Sequence, residues 1–178
     1  MELCHMFNHL FSQMPEQNRR PLRVRTFMVV AISSGYGMIQ WLDGLNTFRQ
    51  HVVDELGVMA PQTTLGNYVA QFKAQMDNAR GREPIVWNKF MAECPPVFQK
   101  WFAGSSRDPA HWYSRRIEYS CSLAVWSILG FVMGVGDRHC ENILIDDESG
   151  EVVHVDFDCL FGKGTMLERP ELVPFRLT

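Results

Sequence analysis

The chain has 178 residues, 46% hydrophobic and 21% charged, with a formal net charge of −3. That is enough for one domain with a real core, and the balance excludes a basic field that would draw in nucleic acid unaided. Five cysteines (Cys4, Cys94, Cys121, Cys140, Cys159), an odd number with no C-x-x-C pair, argue for reduced thiols inside a cell rather than a disulfide framework. No signal peptide is expected, since residues 1–14 lack a basic stretch followed by an apolar core, and the longest apolar run, "SLAVWSILGFVMGVG" at 122–136, is too short for a membrane span and reads as a buried helix.

Residues 1–14 carry Leu3, Met6, Phe7, Leu10, Phe11 and Met14 at helical spacing, with no capping residue ahead of them. "LRVRTFMVVAI" at 22–32 reads as a strand, "SSGYG" as a turn and "MIQWL" as a second strand, together an antiparallel hairpin. After Asp43-Gly44 the pattern turns helical: "LNTFRQHVVDEL", then "TLGNYVAQFKAQMDN", then "PIVWNKFMAEC" and "PPVFQKWFAG", each of the last two with proline near its first turn. The strongest helix signal follows. Asp108 is the N-cap, Pro109 the first helical residue, and Tyr113, Ile117, Cys121, Ala124 and Ile128 form an apolar stripe that ends at Gly134-Val135-Gly136. "NILID" and "EVVHVD" are short strands of a second hairpin across "DESG", and 157–178 has loop composition.

The chemistry concentrates in "GVGDRHCENILID" (134–146) and "VVHVDFDCLF" (152–161). Phosphoryl transfer to a hydroxyl needs a carboxylate that orients the hydroxyl and takes its proton. It also needs hard oxygen ligands for the metal ions that bridge the phosphates. Asp137 and Asn142 have the spacing of a kinase catalytic base and its metal-binding Asn, and Asp156 follows an apolar hairpin 19 residues after Asp137. Taken alone, the spacing leaves a plain hairpin with polar turn residues open as a rival reading.

"GDRHCENILID", "HVDFDCLFGKG" and "PELVPFRLT" resemble the catalytic and activation loops of the phosphatidylinositol 3-kinase-related protein kinases, nearest to the ATR branch in its fungal form. The likeness runs on through "RTFMVV", "MIQWL" and "DPAHWYSRR" and so covers nearly the whole chain. It implies an α+β, two-lobed protein-kinase-like catalytic domain. Residues 1–41 would be the end of the N-lobe. Residues 42–178 would be the C-lobe, with hinge, catalytic loop (134–144) and activation loop (156–178). By resemblance Asp137 is the catalytic base or substrate-orienting carboxylate and His139 stabilises the transferred phosphate. Asn142 and Asp156 are the metal ligands, and Arg138 braces the loop rather than doing chemistry. Trp41 packs on adenine at the hinge, the backbone of Gln40 and Leu42 bonds its edges, Leu144 and Val155 floor the pocket and Phe27 lines its back. For these apolar residues plain core packing remains the rival reading.

The implied cofactors are ATP with Mg2+ or Mn2+. The activation loop carries only Lys163, Arg169 and Arg176, without the basic cluster of lipid kinases, which favours protein substrates, in this family Ser or Thr followed by Gln. The resemblance further implies a nuclear kinase of DNA-damage and replication checkpoints, with a regulatory partner akin to the ATR-interacting protein and no direct nucleic-acid or membrane binding by this domain. Cys140 and Asp158 vary within the family, and their roles stay open. A kinase also needs a glycine-rich loop, a phosphate-binding lysine and an acidic helix partner. The only lysines here are Lys73, Lys89, Lys100 and Lys163, all past the hinge. The chain is therefore expected to be a piece of a larger kinase, inactive alone. The alternatives are a non-catalytic kinase-like binding module or, more remotely, a phosphoinositide kinase.

Overall fold

A computed structural model describes residues 1–15, 22–59, 64–93 and 96–167. In chain order the elements are α1 (Glu2–Ser12), β1 (Val29–Ala31), β2 (Gly37–Ile39), β3 (Leu45–Thr47), α2 (Phe48–Met59), α3 (Leu65–Asp77), α4 (Glu83–Glu93), α5 (Val97–Gly104), α6 (Pro109–Met133), β4 (Ile143–Asp146) and β5 (Val152–His154), then a short 3-10 turn (Lys163–Met166). The fold class is α+β, as expected. The chain divides into two compact units, Met1–Phe48 with Asp108–Thr178, and Arg49–Arg107.

In the first unit, α6 starts where the sequence predicts. The Asp108 carboxylate accepts from the His111 N–H at 2.7 Å, and Pro109 supplies a preset helical φ where no N–H is needed. The helix ends at Gly134 in the left-handed region (φ 56°, ψ 49°), with its N–H and that of Val135 closing on Phe131 O and Gly130 O.

The buried face of α6 differs from the predicted one. Tyr113, Ile117 and Ile128 of the expected stripe are exposed, and the buried face is Arg115, Ser122, Val125, Trp126, Ser127, Leu129, Gly130 and Met133. The reason lies in what that face touches. The Ser122 hydroxyl accepts from the Val152 N–H (2.9 Å), and Trp126 Nε1 donates to Val152 O (3.0 Å), so polar atoms of α6 satisfy the edge of β5. Residues chosen for that task interrupt an apolar stripe.

The sheet beneath α6 has the order β3-β4-β5, antiparallel throughout. Leu144 pairs with Thr47 on one side and Val153 on the other. The sequence reading assigned residues 45–47 to the start of a helix. In the structure they are strand β3, because the Asp43-Gly44 turn (Gly44 φ 74°) lays them along β4 before the helix begins at Phe48. Ile145, Val152 and Val153 are almost wholly buried. The core joins Cys4 of α1 and Val24 to Val125, Trp126, Leu129 and Met133 of α6 and to Ile143 and Val152 of the sheet. Half of the α1 stripe serves it: Leu3, Phe7 and Phe11 pack, while Met6, Leu10 and Met14 are exposed.

The first hairpin forms as predicted, with Val29 opposite Ile39 and Ala31 opposite Gly37, but its strands are short and residues 22–28 lie outside them. All six strand residues are exposed.

The second unit is helical. Thr64 caps α3 by accepting from the Asn67 N–H at 3.2 Å. Phe72 of α3 packs on Phe90 and Trp87 of α4, with ring centroids 4.4 and 5.7 Å apart, and Trp101 of α5 stacks on the buried His51 of α2 at 3.8 Å. The predicted activation loop is described only to Leu167; its remainder, with Arg169 and Arg176, lies outside the described residues.

Candidate active site

The loop that leaves α6 is held by backbone before any side chain acts. A Cβ at Gly134 would stand 2.9 Å from the Gly162 nitrogen, so only glycine lets residues 161–162 pass this close. Along the crossing, Phe161 N donates to Met133 O (2.8 Å), Gly162 N to Gly134 O (3.1 Å) and Gly136 N to Cys159 O (2.7 Å). The segment after β5 is thereby laced onto the segment after α6.

Asp137 and Asp156 both adopt left-handed backbone, φ 55° and 59°. Such a conformation in a non-glycine residue costs about 1–3 kcal/mol and persists only where neighbours fix it. The fixing groups are visible. Asn142 Nδ2 donates to Asp137 O at 2.9 Å, and Val155 N donates to Asn142 O at 3.1 Å. Arg138 is buried (5% exposed), and its guanidinium donates to four carbonyls: Gly136 (2.9 Å), Asn142 (3.4 Å), Val155 (2.6 Å) and Asp156. It also lies 5.7 Å from the centre of the Phe157 ring. Phe157 in turn stacks on Trp126, which stacks on His154 at 4.7 Å and 10°. The α6 core, β5 and both loops thus form one connected assembly.

His139 sits on the open side of the loop. Its Nδ1 accepts from the Glu141 N–H at 3.2 Å, which leaves the ring proton on Nε2, 3.8 Å from Asp137 Oδ2. The side chains of Asp137 and His139 keep 35% and 50% exposure, and Asp156 and Asp158 are exposed. The arrangement offers solvent a carboxylate beside an N–H donor, and a second carboxylate tied to the same loop through Arg138.

Asn142 spends its amide nitrogen on Asp137, which leaves Oδ1 for a cation, and Asp156 adds a carboxylate. Among the described residues no three His, Cys, Asp or Glu side chains gather as a metal cluster. Two hard oxygen donors fit Mg2+ or Mn2+ ions that complete their shells with phosphate oxygens and water.

The structure therefore brings Asp137, His139, Asn142, Val155 and Asp156 together. Leu144 is half-buried in the central strand β4. The remaining residues expected to hold adenine lie on the first hairpin and its flanks. Phe27 is buried, Leu42 half-buried, and Trp41 is 83% exposed. The Gln40 N–H already donates to Met28 O (2.8 Å) and its Oε1 accepts from the Met28 N–H (3.0 Å), so its backbone can offer a ligand only the carbonyl.

Sequence reading missed the supporting partners of this site. Ser122 and Trp126 left no signal beyond being polar or amphipathic residues in a helix, and the carbonyl partners of Arg138 are legible only in three dimensions.

A second cluster lies at the far end of the sheet. Glu151, 3% exposed, faces Arg23 (3.3 Å) and Arg25 (3.5 Å), and Arg25 also holds Asp146 at 2.6 Å. Burial pushes the Glu151 carboxyl above the usual range despite both arginines. Burial also acts to raise Asp146, but hydrogen bonds from Ser149 and Arg25 overcome it and hold that carboxyl below the usual range.

Comparison with known proteins identifies the family. The family model for phosphatidylinositol 3- and 4-kinase matches residues 1–178. The chain belongs to that family and has its kinase-like fold, and the family in general uses ATP with a divalent metal. Within it, the chain is 41% identical over its full length to the serine/threonine-protein kinase ATR of Oryza sativa subsp. indica. It is 39% identical to protein kinase rad3 of Schizosaccharomyces pombe and 36% to the serine/threonine-protein kinase MEC1 of Candida albicans. Solved structures of CtTel1, as a complete dimer and as its FAT and kinase domain, superpose on 98% of the chain at 31% identity with a TM-score of 0.82. The chain spans only 7–8% of the length of those three relatives, and 7% and 12% of the two CtTel1 chains. Among the described residues, no helix is long and apolar enough to cross a membrane.

Proposed function

We propose that this chain supplies the catalytic and metal-holding loops of a nuclear serine/threonine protein kinase. That kinase transfers the ATP γ-phosphoryl group to Ser or Thr followed by Gln in DNA-damage and replication checkpoint signalling. The observation that carries the reading is the single assembly of Asp137, His139, Asn142 and Asp156, together with 36–41% identity across this chain to kinases of the ATR, Rad3 and Mec1 type. Asp137 orients the substrate hydroxyl and takes its proton. The Nε2–H of His139 faces the developing charge on the transferred group. Asn142 Oδ1 and the Asp156 carboxylate hold the divalent ions, which when bound neutralise phosphate charge. Residues 1–41 belong to the N-lobe and 42–178 to the C-lobe; Trp41 would pack on adenine, and Leu144 and Val155 would line the floor of its pocket. The backbone of Gln40 and Leu42 would meet the adenine edge, and Phe27 would line the back. A regulatory partner akin to the ATR-interacting protein engages the whole kinase outside these residues.

The test uses the full-length protein with labelled ATP and three substrates: a Ser-Gln peptide, the same peptide as Ser-Ala, and phosphoinositide vesicles. Transfer to the Ser-Gln peptide alone is the expected result. Transfer to lipid alone makes it a phosphoinositide kinase, and transfer to none of the three makes it a kinase-like module without catalysis.

A further inference from the structure

Arg138 stands one residue from Asp137 yet directs its guanidinium away from solvent, into the protein. We propose that it is a positioning residue for the metal site: it sets where Asp156 stands relative to Asn142 and so fixes the affinity for the nucleotide's divalent ion. The inference rests on the kinase reading above and adds to it a residue that touches neither substrate nor metal.

The geometry carries this. Asp156 comes at the exit of β5 and Asn142 at the entry of β4, and each must present one oxygen to the same ion. One Arg138 side chain binds the main-chain carbonyls of both residues, together with those of Val155 and Gly136, the latter immediately before Asp137. Three of the four carbonyls therefore belong to, or adjoin, the two proposed metal ligands, and the fourth adjoins the proposed base. Lysine cannot do this. Its ammonium is a point donor with three hydrogens, whereas the guanidinium spreads its donors in a rigid plane that reaches separate strands of chain. Phe157, next to Asp156, supplies its ring to the same guanidinium and packs on Trp126, so the plane is held from the core side as well. Asp156 needs such a hold because its φ of 59° is one that a free aspartate leaves readily.

Partners that orient metal ligands without binding the metal typically change its affinity by about 10- to 100-fold when altered. The test compares full-length wild type with Arg138→Lys and with Phe157→Leu. Binding of Mn2+ in the presence of a non-hydrolysable ATP analogue is followed by electron paramagnetic resonance. Affinity for the analogue without metal and the thermal transition are measured on the same samples.

Arg138→Lys is expected to weaken Mn2+ about 10-fold, with metal-free nucleotide affinity within twofold of wild type. Phe157→Leu, which leaves the donors but removes the ring, is expected to weaken it by a smaller factor, about threefold. A folded Arg138→Lys protein with wild-type Mn2+ affinity overturns the inference, as does an equal loss of metal-free nucleotide binding, which would mean general loosening. If Arg138→Lys does not fold, Phe157→Leu decides: unchanged Mn2+ affinity overturns the inference. Wild type that binds neither Mn2+ nor nucleotide overturns the kinase reading itself, a result distinct from failure of the Arg138 assignment.

Discussion

The two hairpins of this chain are written in similar residues and meet opposite fates. In β4–β5, Ile145 and Val153 are wholly buried. In β1–β2, Val29 is 52% and Ile39 71% exposed. The difference is α6. Its Ser122 and Trp126 bond to Val152, and its apolar residues cover one face of the sheet, so the second hairpin becomes a platform onto which the loop leaving α6 is fastened. The first hairpin is held chiefly by its own ladder and by the Gln40–Met28 bonds. Chemistry that needs carboxylates fixed to fractions of an ångström belongs on the platform. The proposed contact of Trp41 with adenine asks less of the first hairpin.

That contrast is sharpest in two tryptophans. Trp126→Ala removes a ring 2% exposed that stacks on His154 and Phe157 and bonds Val152. It should cost about 3–5 kcal/mol of stability by denaturant unfolding. Trp41→Ala should cost within about 0.5 kcal/mol, while raising KM for ATP in the full-length kinase. If Trp41→Ala destabilises as much as Trp126→Ala, the hairpin is a second rigid platform and the contrast fails.

Gly134→Ala comes next. The φ of 56° and the 2.9 Å approach to Gly162 give an expected loss of about 2 kcal/mol. Faster hydrogen exchange at the Gly162 and Gly136 amides should accompany it. Ser122→Ala should cost about 1–2 kcal/mol by leaving the buried Val152 N–H without its acceptor. Equal stability of the alanine variant would mean that α6 does not anchor β5 through that bond.

The smallest effect concerns pH. Because the Glu151 carboxyl titrates above its ordinary 4.5 in the folded protein, the folded state holds its proton more tightly than the unfolded one. Stability relative to Glu151→Gln should therefore fall as pH rises from 4.5 through the raised value, and level off above it. Asp146 acts oppositely, contributing stability that is lost as pH falls through its ordinary 3.8 toward its lowered value. Melting curves of wild type and Glu151→Gln across this range separate the two.

Much of this was legible in the residues. The spacing of Asp137, Asn142 and Asp156, the Asp108-Pro109 start of α6 and both hairpins could be read because each is a local signal with a local cause. What the sequence hid has a common origin in tertiary hydrogen bonding. Leu45-Asn46-Thr47 is a strand only because β4 lies beside it. The apolar stripe Tyr113, Ile117, Ile128 points outward because the sheet requires Ser122 and Trp126 inward. The family resemblance implied a brace at Arg138, but its four carbonyls come from two separate stretches of chain.

The central claim of the proposed reading is that chemistry resides on the α6–β5 platform, while the first hairpin and the residues after it contribute only to nucleotide recognition. Its most direct test is the pair of kcat and KM for ATP in full-length Asp137→Asn, assayed on a Ser-Gln peptide. The account predicts a kcat about 10²- to 10⁴-fold lower, with KM for ATP within about threefold of wild type. An unchanged kcat, or a loss expressed wholly in KM, would contradict it.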